Sequence, residues 1–174
     1  MGAVKIIGLD PGLRRTGWGI VAVDGPRLYH VADGAVATNG AAPLVARLAS
    51  LHHDLARVIE SYGPDEAAVE ETFVNRNPAS TLSLGMARGV VLLAPAEAGL
   101  PVTEYAPNQI KKAIVGRGHA DKTQVQHMVR LLLGGARVSG ADAADALAVA
   151  ICHAHHARIA HRWRSGIGAA EPRP

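Results

Sequence analysis

Four carboxylates are spaced so that they could do chemistry together. Asp10 closes the apolar run Lys5-Ile6-Ile7-Gly8-Leu9, and Glu70 sits near the end of a second run, Glu66 to Glu71. Asp142 and Asp145 lie three apart in Ala141-Asp-Ala-Ala-Asp-Ala-Leu-Ala, a spacing that puts both on one face of a helix. Alanine around each aspartate lets that helix lie close to a sheet and leaves no basic residue nearby to pair with the acids. Clustered carboxylates raise one another's pKa unless a cation neutralises them, so a bound cation is expected. Oxygen-only donors favour a hard divalent ion, Mg²⁺ or Mn²⁺. Two such ions, roughly 3.5–4 Å apart, can activate a water and stabilise the leaving oxygen of a phosphodiester, which is the chemistry of a nuclease. Each acid alone has a plainer role: Asp10 in a turn cap, Glu70 facing solvent, Asp142 or Asp145 favouring a helix N-terminus. Glu71 competes with Glu70. Strand alternation sends the two to opposite faces and does not say which reaches the site.

The elements that must position these acids are legible in the pattern. Lys5 to Asp10 reads as a buried strand closed by Pro11-Gly12, and Thr16 to Asp24 and Arg27 to Thr38 read as two more, joined at Asp24-Gly25-Pro26. Leu44, Leu48, Leu51, Leu55, Val58 and Tyr62 recur at helical spacing, and Gly63-Pro64 ends that helix. A fourth strand, Glu66 to Glu71, precedes a polar connection and a helix from Pro78 to about Ala94. Val102 to Tyr105 is a fifth strand, and helices follow at Asn108 to Val115, Asp121 to Leu133 and Ala141 to Ala160. The order is βββαβαβα with further helices. A meander followed by a fourth strand parallel to the first brings Asp10 and Glu70 to one sheet edge, where α/β sheets place their sites.

Composition bounds the rest. The 174 residues, 48% hydrophobic and 19% charged, suit one packed domain. That domain is expected over residues 1–160, and the Gly- and Pro-containing segment 161–174 is expected to be a flexible tail. The apolar stretch near Val90 to Ala96, interrupted by Pro95, is too short to suggest a membrane span, and no secretory signal is visible, so a cytoplasmic location is expected. One cysteine, Cys152, excludes an intrachain disulfide and a cysteine-based metal cluster. The formal charge is only +3, but Pro107 to Arg137 holds six basic residues and the single acid Asp121, a candidate polyanion-facing surface.

With these residues in view, the sequence resembles the RuvC-type Holliday-junction resolvases. The resemblance rests on Gly8-Leu9-Asp10-Pro11-Gly12 with Thr16-Gly17-Trp18-Gly19, Ala68-Val69-Glu70 followed by Phe73, Leu84-Gly-Met-Ala-Arg-Gly89, Lys122-Thr-Gln-Val-Gln-His-Met-Val-Arg130, and the Asp142/Asp145 segment. It spans residues 4 to about 157 in order. It implies a ribonuclease-H-like α/β fold with a five-stranded mixed sheet flanked by helices. The family's catalytic and metal-holding acids fall on Asp10, Glu70, Asp142 and Asp145, which favours Glu70 over Glu71; some relatives carry histidine at the position of Asp142. The resemblance further implies Mg²⁺, with Mn²⁺ as substitute and two ions per site. It implies a homodimer making symmetric nicks in four-way DNA junctions, leaving 5′-phosphate and 3′-hydroxyl ends, and partnership with a RuvA- and RuvB-type branch-migration motor complex. An actin-like ATPase shares the strand topology but uses two such domains, and a binding-only scaffold would not need all four acids.

Several residues carry a second reading. Phe73, the single phenylalanine, could pack under a loop or stack on an unpaired base; the resemblance favours the base, with Arg76 as a phosphate contact nearby. Lys111 and Lys122 match basic positions that the family sets against DNA backbone, and Lys112, Arg117 and Arg14 are weaker candidates. Gly85 and Gly89, four apart on one helix face, could meet the chain's own sheet or a second protomer; the resemblance favours the dimer. His52-His53 and His153, His155 and His156 lack the spacing of a metal site and are expected on a solvated, weakly basic face.

Overall fold

A computed structural model describes residues 3–71, 78–118 and 120–167, with side chains described through residue 157. Strands β1 (Val4–Asp10), β2 (Arg15–Asp24) and β3 (Arg27–Ala37) form the antiparallel meander, turned at Gly25 with φ 54°. Helix α1 (Leu44–Tyr62) ends at Gly63, whose left-handed conformation directs its N–H to Ile59 O. Then come β4 (Glu66–Glu70), α2 (Pro78–Glu97), β5 (Val102–Tyr105), α3 (Pro107–Val115), α4 (Lys122–Leu132) and α5 (Ala141–Ile167). The five strands form one mixed sheet in the order β3-β2-β1-β4-β5, with β4 parallel to both β1 and β5.

The sheet separates two cores. On one face Ile7, Leu9, Ile20, Ala67 and Val69 pack against Leu51, Leu55 and Ile59 of α1 and Ala87 and Val91 of α2. On the other, Ile6, Val21 and Ala68 pack against Leu147 and Ile151 of α5, with α3 and α4 beyond. Burying each of these large aliphatic side chains contributes about 1.5–3 kcal/mol.

Two helices run past their expected ends. α2 continues through Pro95 to Glu97, because proline's missing N–H costs one bond there and Pro95 itself is buried in the core. α5 continues beyond Ala160 to Ile167 through Arg-Ile-Ala-His-Arg-Trp-Arg, a stretch rich in good helix formers. By length and hydropathy α2 is the one described helix that could cross a membrane. Its apolar residues divide between two faces: Ala87, Val91, Ala94 and Pro95 enter the core, whereas Leu82, Met86 and Leu93 are exposed.

Candidate active site

Parallel pairing of Leu9 with Val69 carries both strands forward together, so Asp10 and Glu70 emerge side by side at the carboxyl edge of the sheet. The turn behind Asp10 is pinned by fully buried Thr16, whose hydroxyl donates to Gly12 O at 2.8 Å and accepts from Gly12 N at 3.3 Å. Asp142 and Asp145 arrive on the first turns of α5, which lies unusually close to the sheet. A Cβ on Gly17 would stand 2.1 Å from Asp142 O, and one on Gly8 would stand 2.1 Å from Ala146 O. The expected close approach therefore depends on glycines in β1 and β2 as much as on the alanines of α5.

Asp10, Glu70 and Asp145 line one cleft of about 320 Å³ with Lys111, Lys122, Pro107, Ile110, Val125 and Ala148. Glu70 is the glutamate at the cleft, whereas Glu71 is not among the lining residues and its backbone N–H bonds Tyr105 O. Burial, then the charges of Asp10 and Asp145, push the Glu70 carboxyl up to about 8, and its side chain is hydrogen-bonded to Asp10. Burial and Asp145 raise Asp10 to about 6. Two acids raised in this way hold protons more firmly than free carboxyls do, and the pair titrates as a unit.

The other two acids have found cations, contrary to the expectation that no basic residue stands nearby. Lys122 Nζ lies 2.6 Å from Asp145 Oδ2, and this hydrogen bond raises the lysine pKa. Arg15 Nε donates to Asp142 Oδ2 at 2.7 Å, and Asp142 is not among the residues that line the cleft. Both cations come from other elements, the first residue of α4 and the first of β2, so the local sequence around the aspartates could not reveal them. Lys122 is aimed by a capping box in which Asp121 Oδ1 accepts from Gln124 N at 2.8 Å. As the side chains stand, no three acids form a metal-ligand set among the described residues.

The remaining candidates divide. Lys111 lines the cleft, while its neighbour Lys112, turned by one helical step, is exposed outside it. Arg117 is exposed after α3. Arg14 and Arg15 line a second, more open groove with Ser80, Ser83 and Leu84 at the start of α2. Arg15 is the site residue that sequence reasoning missed, since only the fold brings β2's first residue to α5. Phe73 and Arg76 lie outside the described residues. Around Gly85 and Gly89 no atom lies within 4 Å of an added Cβ, so neither meets the chain's own sheet.

His53 and His156 are exposed as expected, whereas His153 departs from the solvated face. His52 pairs with Glu97 at 2.7 Å, joining α1 to α2. His153 lies inside α5 and is buried, bonded to Glu66 and Tyr105.

The family model described as crossover junction endodeoxyribonuclease RuvC matches residues 6–153, which contain all four acids. The chain belongs to this family. A RuvC crossover junction endodeoxyribonuclease from Gluconacetobacter diazotrophicus is 61% identical over 163 residues, covering 94% of this chain and 97% of that protein. The structure of Thermus thermophilus RuvC superposes with a TM-score of 0.82 at 37% identity, covering 90% of this chain and 97% of that one. The T. thermophilus RuvC in complex with Holliday junction substrate gives 0.82 at 38% identity, covering 90% and 96%. The sheet order above is thus the ribonuclease-H-like arrangement of the RuvC fold.

Proposed function

We propose that this RuvC-family chain is a Holliday-junction resolvase, a divalent-metal-dependent endodeoxyribonuclease that nicks two strands of like polarity symmetrically during recombination and repair. The observation that carries the reading is the cleft where Asp10, Glu70 and Asp145 meet Lys111 and Lys122, within a chain matched to the family over residues 6–153. The binding partner follows from the T. thermophilus relative, whose structure was determined with a Holliday junction substrate.

The donor set fits Mg²⁺. It is all oxygen, its buried carboxyls crowd one another too closely to ionise fully without a cation, and a guanidinium and an ammonium group pair with two of the four. Asp10, Glu70, Asp142 and Asp145 would hold the ions, of which two per site suit a phosphodiester. Bound there, they would lower the pKa of an attacking water and offset charge building on the phosphate. The chain's own part is to release Asp145 from Lys122 and Asp142 from Arg15, freeing both cations for phosphate oxygens, and to give up protons held by Asp10 and Glu70. Lys111, with Lys112, Arg14 and Arg117 outside the cleft, would follow the backbone without reading sequence. Phe73 would stack on an unpaired base, with Arg76 on a phosphate.

Two junction strands need two sites, which a homodimer supplies. The face for it is α2, where Leu82, Met86 and Leu93 are exposed beside the open flanks of Gly85 and Gly89. A RuvA- and RuvB-type motor complex is the proposed partner, residues 1–160 the nuclease unit with 161–174 a tail, and the cytoplasm the location. The test is a labelled four-way junction against a linear duplex of the same sequence, with Mg²⁺ or chelator. Paired cuts at symmetric positions in the junction alone, lost with chelator, are expected; equal cutting of both DNAs would sink the junction assignment.

A further inference from the structure

Thr16 and His153 are the polar residues buried among the described ones, and Thr16 is accounted for by its turn. His153 is part of no site described above. Its Nε2 lies 2.6 Å from Glu66 Oε2 and its Nδ1 lies 2.9 Å from the Tyr105 hydroxyl. Burial, with Cys152 and Glu66 nearby, pushes the Tyr105 phenol up to about 12, so a protonated hydroxyl faces Nδ1 while Nε2 faces the Glu66 carboxylate. One imidazole thus joins α5 to the first residue of β4 and the last of β5.

Those elements carry the acids. Glu66, Ala68 and Glu70 alternate onto the same face of β4, the face under α5. His153 follows Asp145 by eight residues, about two helical turns or roughly 12 Å along α5. Sliding α5 along β4 would change the Asp145 to Glu70 separation and the His153 to Glu66 separation together. Between these two points α5 meets the sheet through Ala146 and Ala150 over Gly8 and through Leu147 over Gly19, contacts with β1 and β2, whereas His153 adds hydrogen bonds to β4 and β5. The Asp33 carboxylate, bonded by Ser139 N at 2.8 Å, ties the start of α5 to β3, not to the strand bearing Glu70.

We infer that His153 is a positioning residue for the metal site: by bonding Glu66 and Tyr105 it fixes the axial position of α5 on β4, and so the placement of Asp142 and Asp145 against Glu70. Groups that orient a metal site's ligands act on metal affinity and rate together, and His153 would do so through the placement of α5. The inference rests on the resolvase reading for its kinetic consequence, but its metal consequence can be read without DNA.

The experiment compares the full-length wild type with His153→Leu, His153→Gln, Tyr105→Phe and Glu66→Gln. Leu55→Ala serves as a control that weakens the core on the opposite face of the sheet. Each protein is assayed, at a temperature where it is fully folded, for Mn²⁺ affinity without DNA, four-way-junction affinity in Ca²⁺, and single-turnover cleavage. His153→Leu is expected to lose about 10- to 100-fold in both Mn²⁺ affinity and cleavage rate while junction affinity holds, with partial rescue by glutamine. Leu55→Ala should lower the melting temperature without moving Mn²⁺ affinity. Wild-type Mn²⁺ affinity and cleavage in a folded His153→Leu protein would overturn the inference. If that variant does not fold, Tyr105→Phe and Glu66→Gln, each removing one bond at nearly constant shape, decide by the same criterion. A wild type that binds Mn²⁺ but cuts no junction would overturn the resolvase reading, and the Mn²⁺ comparison would still decide the role of His153.

Discussion

At the scale of single residues, the site is a set of acids whose charge is held in check by different means. Burial and mutual repulsion raise Asp10 to about 6 and Glu70 to about 8, while Asp142 and Asp145 lean on Arg15 and Lys122. The raised values have a sign that can be worked out. Between the ordinary values of 3.8 and 4.5 and the folded values of about 6 and 8, the native state binds more protons than the unfolded chain. These two groups therefore make the metal-free protein less stable as pH rises through that window. Mg²⁺ must displace protons held by this pair, so its stabilisation grows in the same direction. Thermal melts at pH 6 and pH 8, with and without Mg²⁺, should show the larger Mg²⁺-induced rise at pH 8; an equal or smaller rise there would count against protons held by the pair. The meeting of Asp10 and Glu70 at one sheet edge was legible because the strand ends and their parallel pairing follow from the pattern. Arg15 was not, since an ion pair spanning 127 residues leaves no local trace.

At the scale of elements, α5 is the part that assembles the site, and the sheet is shaped to receive it. Gly17 faces Asp142 O so closely that a methyl group there would stand 2.1 Å away, with backbone on both sides of the contact. Gly17→Ala should cost about 1–3 kcal/mol of stability through overpacking and should displace the Asp142 backbone from β2. Calorimetry and junction cleavage on the same preparation check this, and a variant of unchanged stability and rate would show that α5 is not held this tightly. Element order followed from the sequence because periodicities of two and 3.6 alternate cleanly, and α1 and β5 have the limits their patterns indicate. The expected helix ends misled for different reasons: Pro95 is buried in the core and α2 continues past it, and the arginine-containing sequence after Ala160 continues α5. His153 misled because exposure cannot be read from residue type when the partners, Glu66 and Tyr105, are 87 and 48 positions away.

At the scale of the whole molecule, the chain buries one face of α2 and leaves another apolar face open. Leu82, Met86 and Leu93 fall at helical spacing on that face, beside two glycines that touch nothing within 4 Å. Leu82→Lys should yield a folded monomer by light scattering, with secondary structure intact and symmetric nicking converted to uncoordinated single cuts. A dimer that persists would move the two-fold axis elsewhere. The direction in which Gly85 and Gly89 face was not legible, because a glycine pair is compatible with packing inward or outward until the fold shows which side is empty. The basic surface was legible as a charge bias from Pro107 to Arg137, yet the fold sends Lys111 and Lys122 into the cleft and leaves Lys112 outside.

The central claim is that the carboxylates act in cutting and not in holding DNA, and Asp142→Asn tests it most directly. The substitution keeps shape and removes the charge that pairs with Arg15. Junction binding in Ca²⁺ and cleavage in Mg²⁺ should be measured on one preparation of wild type and variant. The account predicts binding at least as tight as wild type, since Arg15 is freed for phosphate, with cleavage reduced by more than the roughly 100-fold that loss of an outer partner causes. A variant that still cuts the junction at the wild-type rate would contradict it.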